Sequence, residues 1–544
     1  MSAQTGTVSL PPPPPSVRGM ARVRARVSRL SSDPNPVWMR ELRAAARLQR
    51  TPIILAVITA MMTLLVCSVG GIASMSTEPA RVGSWLYHTF FSLAYALVTW
   101  MGPAMAAQTI AAERSGRTWE ALELTGLGPS TIARGKFLAA LTYVSLYLVM
   151  LAPVGALPFL FGGVTALEVL LAFVVLGATA TLSVAFGLAM SSKFSSPALA
   201  ILVTLVVSIP ASIIAYFGLG VALSYRVNEL WPSVDAGPPV WLPSAFARAD
   251  FGVEYVALLV LGPLLLLALP AWLFYEITIS NMAAPSDDRS TRLRAWTLVA
   301  GPAMTALTIA CGAGLGEPDW YVLGELGLFL VYMFAAFLFT GEPLAPSRRV
   351  EVRWERDGVG AARRFLGPGV VRAFTLLLVL APGSFAIVAA AALFTLPTRS
   401  DAIGVIALGG YGAAFLVFMM GFGAWTRSRS QSSGVPRVLL LGAMFLAFVG
   451  PWIAMAIAGI FETSERALLV AAPSPVYAAH LWTVVQNGSP ERDLALLAAS
   501  VSAAAWALIG LGLLALATSR VKKRLADERA ERAGFEARLV ESPG

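Results

Sequence analysis

One dipeptide in this sequence, Gly135-Lys136, is of a kind that binds nucleotide phosphates. A phosphate-binding loop needs Gly-x-x-x-x-Gly-Lys-Ser/Thr, because its backbone N–H groups and its lysine surround the phosphates. Here Phe137 follows the lysine, and Ser130 stands where the first glycine would be. We therefore expect this chain to bind neither ATP nor magnesium, to have no catalytic residue, and not to be an enzyme.

The sequence also offers few residues that could bind a metal or act as an acid or base. The cysteines and histidines are scattered, so no zinc site is predicted: they are Cys67, Cys311, His88 and His480. A membrane enzyme would need clustered polar residues at one membrane face. One outer loop holds several without motif spacing, and we interpret them as solvated charges: Glu229, Asp235, Arg248 and Asp250.

An ion-coupled carrier usually keeps acids inside its membrane helices despite their cost. Here Glu168, Glu276 and Glu325 lie near the ends of apolar runs, and His88 does too. We interpret these side chains as interfacial, and keep only Glu325 as a candidate polar site. An ion-coupled secondary transporter with two six-span halves remains the alternative function.

The elements that position these residues are apolar runs long enough to cross a membrane. The chain is 57% hydrophobic, only 13% charged, and has a mean hydropathy of +0.71. About 20 apolar residues span a bilayer. The sequence predicts an all-α polytopic membrane protein with twelve spans, roughly Ile53–Ser74, Trp85–Ala107, Phe137–Phe161, Val164–Met190, Pro197–Leu223, Tyr255–Ile277, Ala295–Gly314, Tyr321–Phe339, Ala373–Leu396, Ile403–Trp425, Val438–Ile460 and Leu494–Ala517.

The distribution of basic residues predicts the orientation of these spans. Basic loops stay on the cytoplasmic side. Of the 40 lysines and arginines, only six fall in the loops predicted to lie outside, namely Arg81, Arg226, Arg248, Arg399, Arg466 and Arg492. We therefore predict a bacterial inner-membrane protein with both termini in the cytoplasm. The net charge of +9 is explained by this asymmetry, and no nucleic-acid partner is expected.

Two six-span blocks repeat certain features about 240 residues apart. Leu127-Gly128-Pro129 precedes the third span, and Leu366-Gly367-Pro368 precedes the ninth. The outer loop before each sixth span carries a Pro-Ser pair and an aromatic residue: Pro243, Ser244 and Phe246, then Pro473, Ser474 and Tyr477. The predicted organisation is a disordered tail at 1–34, an interfacial helix at 35–52, the first block at 53–282, a linker at 283–294, the second block at 295–519 and a charged C-terminal helix at 520–544.

The segment before span 1 predicts a helix lying flat on the membrane. Pro36 suits a helix start. Four arginines recur at intervals of three and four positions on one face, where they would meet anionic lipid head groups: Arg40, Arg43, Arg47 and Arg50. Trp38 would lie at head-group depth, so membrane lipids are expected partners.

The loop between spans 2 and 3 predicts a short amphipathic helix. Gly116 can end the preceding helix, and Thr118 can cap the next one. Trp119 and Leu122 would form its apolar side, with Glu120 elsewhere. Such a helix, held just below the membrane, is a docking element for a cytosolic partner.

These features together resemble the type-2 ABC exporter permeases. That family has an interfacial elbow helix, a loop of the form Glu-x-x-x-Gly-Thr-x-Glu-x-Leu-Leu, and Gly-Lys at the third span. The matching residues are Glu113, Gly116, Thr118, Glu120, Leu122, Gly135 and Lys136. Arg117, between Gly116 and Thr118, and Glu123, where leucine is commoner, depart from the pattern.

The resemblance implies that Thr118–Thr125 is a coupling helix for a separate cytosolic ABC ATPase, which carries ATP and magnesium. Trp119 would contact that subunit. The residues around Pro243–Phe246 would belong to an extracellular re-entrant region. One chain could form the pathway alone, or a homodimer could. The loop Glu342–Arg372 of the second block lacks the pattern: it is either a solvated basic loop or a docking surface at Val352 and Trp354.

Overall fold

The computed structural model describes residues 34–46, 50–75, 78–232, 234, 242–461, 465–487 and 490–541. Within these residues the chain is helical and has no strand. The tail predicted to be disordered lies outside the described residues except for Pro34, and Arg47 lies outside them too. The prediction of an all-α polytopic membrane protein is confirmed.

Twelve helices of the described residues are long and apolar enough to cross a membrane, as predicted. Helices form there because a bilayer offers the backbone no water to hydrogen-bond. In order, spans 1 to 12 are Arg50–Ser74, Pro79–Ser115, Pro129–Gly155, Ala166–Ser191, Pro197–Leu230, Tyr255–Met282, Thr291–Leu315, Pro318–Phe339, Val370–Thr395, Arg399–Arg429, Val435–Phe461 and Arg492–Glu541. Spans 5 and 6 contain π-helical turns at Ile214–Gly220 and Tyr255–Leu261.

Most spans extend past the predicted apolar limits, because a helix need not end where the hydrocarbon does. Span 2 continues to Ser115. Span 12 continues without a break into the charged C-terminal segment, so the segment predicted from Arg520 is part of one 50-residue helix.

Short helices lie between the spans. They are Pro36–Ala46, Trp119–Leu124, Leu157–Phe161, Leu242–Arg248, Arg348–Arg356, Ala361–Phe365, the 3₁₀ helix Glu465–Ala471, and Tyr477–Gln486. Two of them occupy the Glu342–Arg372 loop, so this basic loop is partly helical. We call Pro36–Ala46 the elbow helix and Trp119–Leu124 the loop helix.

Helix packing divides the described chain into the same two groups of six spans. Span 2 packs chiefly on spans 4 and 5, and span 10 chiefly on spans 9 and 12. Extensive contact between the groups is made by span 6 against span 7. There the Trp296 indole donates to the Leu269 carbonyl at 2.8 Å. Phe274 of span 6 also meets Phe334 of span 8.

Hydrogen bonds join the basic inter-span segments to one another. The Arg114 guanidinium donates to the Ser192 carbonyl at 2.7 Å, and the Asn281 amide donates to the Ser192 hydroxyl at 2.8 Å. In the second half, Arg427 donates to the Glu342 carbonyl at 2.7 Å. These ends of the spans lie on one side of the bundle, which we call the basic side.

Candidate docking site on the basic side

A cluster of four charged side chains ties the elbow helix to spans 2 and 3. The Lys136 ammonium lies 3.1 Å from a Glu113 carboxylate oxygen and 3.2 Å from one of Glu41. It also donates to the Thr109 carbonyl at 3.3 Å. Arg40 forms ion pairs with both carboxylates. Because Lys136 is only 1% exposed, its charge depends on these partners.

Gly135 lets the elbow helix approach span 3 closely. A Cβ atom at this position would lie 2.6 Å from both Asn35 Oδ1 and Val37 Cβ. Asn35 accepts from the Val37 N–H at 3.0 Å, and its amide donates to the Thr131 carbonyl at 2.8 Å. The Gly-Lys dipeptide therefore fastens the elbow helix: the glycine gives it room, and the lysine pairs with its acid.

The elbow helix begins at Pro36, as predicted. Its half-buried Trp38 donates from the indole to the Thr142 hydroxyl of span 3 at 3.2 Å, so this side chain binds span 3. Arg40 is likewise held by Glu113, and Arg43 is exposed. The predicted lipid-binding stripe is thus represented among the described side chains by Arg43, since the side chain of Arg50 is not described.

Sequence reasoning missed two members of this arrangement, Glu41 and Asn35. Glu41 is next to Arg40 in the sequence, but its partner Lys136 is 95 positions away. A paired acid could have been suspected from the lysine just before the predicted start of span 3 at Phe137, since a lysine enclosed there needs a counter-charge.

A tight turn connects span 2 to the loop helix. Gly116 follows the last residue of span 2, as predicted. Arg117 has a left-handed backbone with φ of 55°, a conformation that costs a non-glycine residue about 1–2 kcal/mol. Thr118 occupies the N-cap position, but no side-chain cap forms, and its hydroxyl donates to the Glu113 carbonyl at 3.3 Å. Thr118 therefore holds the predicted N-cap position without a capping hydrogen bond from its side chain.

The loop helix has one attached face and one free face. Leu122 is buried. Trp119 is half-buried, with the Arg114 guanidinium 5.3 Å from its ring centroid and its indole donating to Glu123 at 2.8 Å. Leu124 is the last residue of this helix. It is 89% exposed.

The free face of the loop helix, which we define as Leu124 with Glu120, presents an apolar group beside an acid. Both are exposed, and the helix packs against span 2. An exposed leucine on a polar loop contributes nothing to this chain's own core. It leaves an apolar side chain beside an acid available for contact with another protein.

The second half has a buried ion pair at the matching end of its second span. Arg294, which is 0% exposed, pairs with Glu342. Arg294 also donates to the carbonyls of Phe365 at 3.0 Å and Gly369 at 2.9 Å. Sequence analysis missed this pair. The signal was available, because Glu342 lies just after the end of span 8, much as Glu113 lies near the end of span 2.

The corresponding surface of the second half is different. In the helix Arg348–Arg356, Val350 is buried and Val352 is 52% exposed. Trp354 packs over Gly367, so the two residues proposed for docking do not share a free face. The exposed positions of this helix are mainly arginines.

The predicted re-entrant residues lie beside short helices on the opposite side. Pro243, Ser244 and the half-buried Phe246 belong to Leu242–Arg248. Its last residue, Arg248, pairs with the fully buried Glu168 at 2.8 Å. Glu168 also forms a capping box with Thr165.

In the second half, Pro473 and Ser474 precede the helix Tyr477–Gln486. The Ser474 hydroxyl donates to the Phe448 carbonyl at 2.9 Å and accepts from the Trp452 indole at 3.1 Å. Tyr477 is fully buried. Each of these segments therefore anchors a turn to neighbouring spans.

We expect the elbow helix to loosen in acid. Burial works to raise the pKa of Glu41, but the Lys136 ammonium and Arg40 guanidinium outweigh it and lower the pKa below the ordinary value of 4.5. An acid with a lowered folded-state pKa stabilises the fold above its unfolded pKa, and this is lost as the pH falls through the folded value. Hydrogen exchange of residues 36–46, corrected for intrinsic rates, should show this loss, and Glu41→Gln should reduce it.

No family model, curated protein or solved structure matches this chain. Within the described residues, no group of three His, Cys, Asp or Glu side chains could hold a metal ion. The function must be inferred from the geometry of the described residues.

Proposed function

We propose that this chain is the membrane-spanning permease subunit of an ATP-binding-cassette exporter, driven by a separate ATPase subunit that supplies ATP and magnesium. The observation that carries the proposal is the free face of the loop helix, mounted on the charged cluster that joins the elbow helix to spans 2 and 3.

This arrangement can transmit a movement of the bound ATPase to the membrane spans. A displacement of the loop helix reaches span 2 through the short turn at Gly116–Thr118. It reaches span 3 and the elbow helix through Glu113, which contacts both Lys136 and Arg40. Because these contacts are ionic and partly buried, the three elements move together rather than separately.

Replacing Leu124 should weaken ATPase binding without affecting membrane insertion. Burying a leucine side chain contributes about 1.5–3 kcal/mol, so Leu124→Ala should reduce the affinity by on the order of tenfold or more. Affinity purification from native membranes in mild detergent, followed by quantification of nucleotide-binding subunits, measures this. Loss of Leu124 removes no contact of the core, so the yield of folded chain should not change.

Val352→Ala is the matched control, since Val352 is an exposed apolar residue in the equivalent loop of the second half. A loss with Leu124→Ala alone indicates docking on the first half only, and a loss with both indicates docking on both halves. Unchanged recovery of an ATPase with Leu124→Ala and with Glu120→Lys would contradict the proposal.

A secondary transporter is the second candidate, and one observation favours it: the buried Glu325 described below. Gradient-driven transport by the purified chain alone would establish that function. Two six-span groups in one chain allow a single copy to form the pathway, and a homodimer is the other assembly.

A further inference from the structure

Glu325 lies inside span 8, away from the ends where the other charges of that region stand. It is the eighth residue of the helix Pro318–Phe339, roughly 10 Å along the axis from the first residue. Its side chain is 2% exposed. The surrounding spans therefore enclose Glu325, which the sequence indicated as the candidate polar site.

The carboxyl group of Glu325 has no hydrogen-bond partner on either oxygen among the described residues. It lies directly against span 10 at Gly409, where a Cβ atom would be 2.2 Å from Oε1. Only a glycine leaves room for the carboxyl group there. The site is a close contact between an acid of span 8 and the backbone of span 10.

The other deeply buried acids of the described chain are each paired with a cation. Glu168 pairs with Arg248, and Glu342 pairs with Arg294. An unpaired carboxylate in such surroundings costs several kcal/mol, whereas a neutral carboxyl group costs much less. The geometry therefore requires Glu325 to hold a proton in this packing arrangement.

The spans packed on Glu325 offer no charged partner in their middle parts. The uncharged titratable side chains of spans 7 to 10 are Cys311 on span 7, Tyr321 and Tyr332 on span 8 itself, and Tyr411 on span 10. The Tyr321 and Tyr332 hydroxyls are hydrogen-bonded to the Thr395 and Ser384 hydroxyls, each at 2.7 Å, and the Tyr411 hydroxyl donates to the Ala472 carbonyl at 2.8 Å. The charged residues of spans 7 to 10 stand towards the helix ends, and they are Arg292, Arg294, Asp319, Arg372, Arg399, Asp401, Arg427 and Arg429.

We propose that Glu325 is a proton-binding site of the second half, which holds its proton while spans 8 and 10 touch and releases it when they separate. On release the carboxyl O–H bond breaks, its electron pair stays on the oxygen, and water takes the proton. Contact with Gly409 excludes water in the closed arrangement. The site acts in this way whether ATP or an ion gradient drives the protein.

Infrared spectroscopy of the purified chain in lipid tests this directly. We expect a carboxylic-acid C=O band at neutral pH that is absent in Glu325→Gln and retained in the control Glu168→Gln. Raising the pH should reversibly remove the band as open arrangements lose their proton. A missing band at neutral pH, or a band unchanged by alkali while the chain stays folded, would overturn the proposal.

Carbodiimide labelling gives a second readout that needs no variant. A hydrophobic carbodiimide reacts with protonated carboxyl groups in apolar surroundings, so peptide mapping should find Glu325 modified and the ion-paired Glu342 unmodified. Labelling should fall as the pH rises. Modification of Glu342 in preference to Glu325 would count against a protonated Glu325.

Discussion

Replacement of Arg294 by methionine should strongly destabilise the second half. The substitution removes the guanidinium but leaves the Glu342 carboxylate, which is 8% exposed, without its cation. Breaking a buried pair in this way costs about 3–5 kcal/mol. It also removes the donors to Phe365 and Gly369, so the loop before span 9 should loosen. The fraction of monodisperse protein after heating in detergent, measured by size-exclusion chromatography, reports the loss.

Two variants make this expectation specific. Arg292→Met changes an arginine of the same helix that is 55% exposed and lies 3.5 Å from Glu276. Such exposed pairs contribute about 0–1 kcal/mol. Adding Glu342→Gln to Arg294→Met neutralises the orphaned acid and should recover part of the stability. Equal stability of Arg294→Met and Arg292→Met would show that the buried ion pair does not stabilise the second half.

Gly421→Ala should separate spans 10 and 12. A Cβ atom at Gly421 would lie 2.0 Å from the Gly510 carbonyl oxygen, which is backbone and cannot rotate away. The reciprocal atom at Gly510 would lie 2.5 Å from the Val417 carbonyl oxygen. Small residues at such crossings let membrane helices approach closely. Overpacking typically costs about 1–3 kcal/mol, which a thermal denaturation midpoint in detergent would detect.

Gly410→Ala is the matched control on the same helix, because nothing lies within 4 Å of its added Cβ atom. Alanine favours a helix over glycine by about 1 kcal/mol, so this variant should be neutral or slightly more stable. If Gly421→Ala and Gly410→Ala behave alike, the crossing of spans 10 and 12 is looser than the structure indicates.

The candidate docking site was only partly predictable from the sequence. The loop helix and its start near Gly116 follow from local residue types, and both are present in the structure. The role of Gly135-Lys136 does not follow, because it depends on Asn35, Val37 and Glu41, which reach span 3 only when the chain folds back. The exposure of Leu124 also depends on the tertiary structure, since contacts with the neighbouring spans decide which side of a six-residue helix is covered.

The sequence by itself determined the number of membrane helices and the contrast between basic and neutral loops. Both follow from the residues of each segment alone, because a run of apolar residues enters lipid according to its own composition and length. Only the tertiary structure decided which charges are paired. Lys136, Arg294 and Glu168 have partners far along the chain, whereas Glu325 has none among the described residues. Helix packing, which no local pattern specifies, decides whether a buried ionisable group is paired.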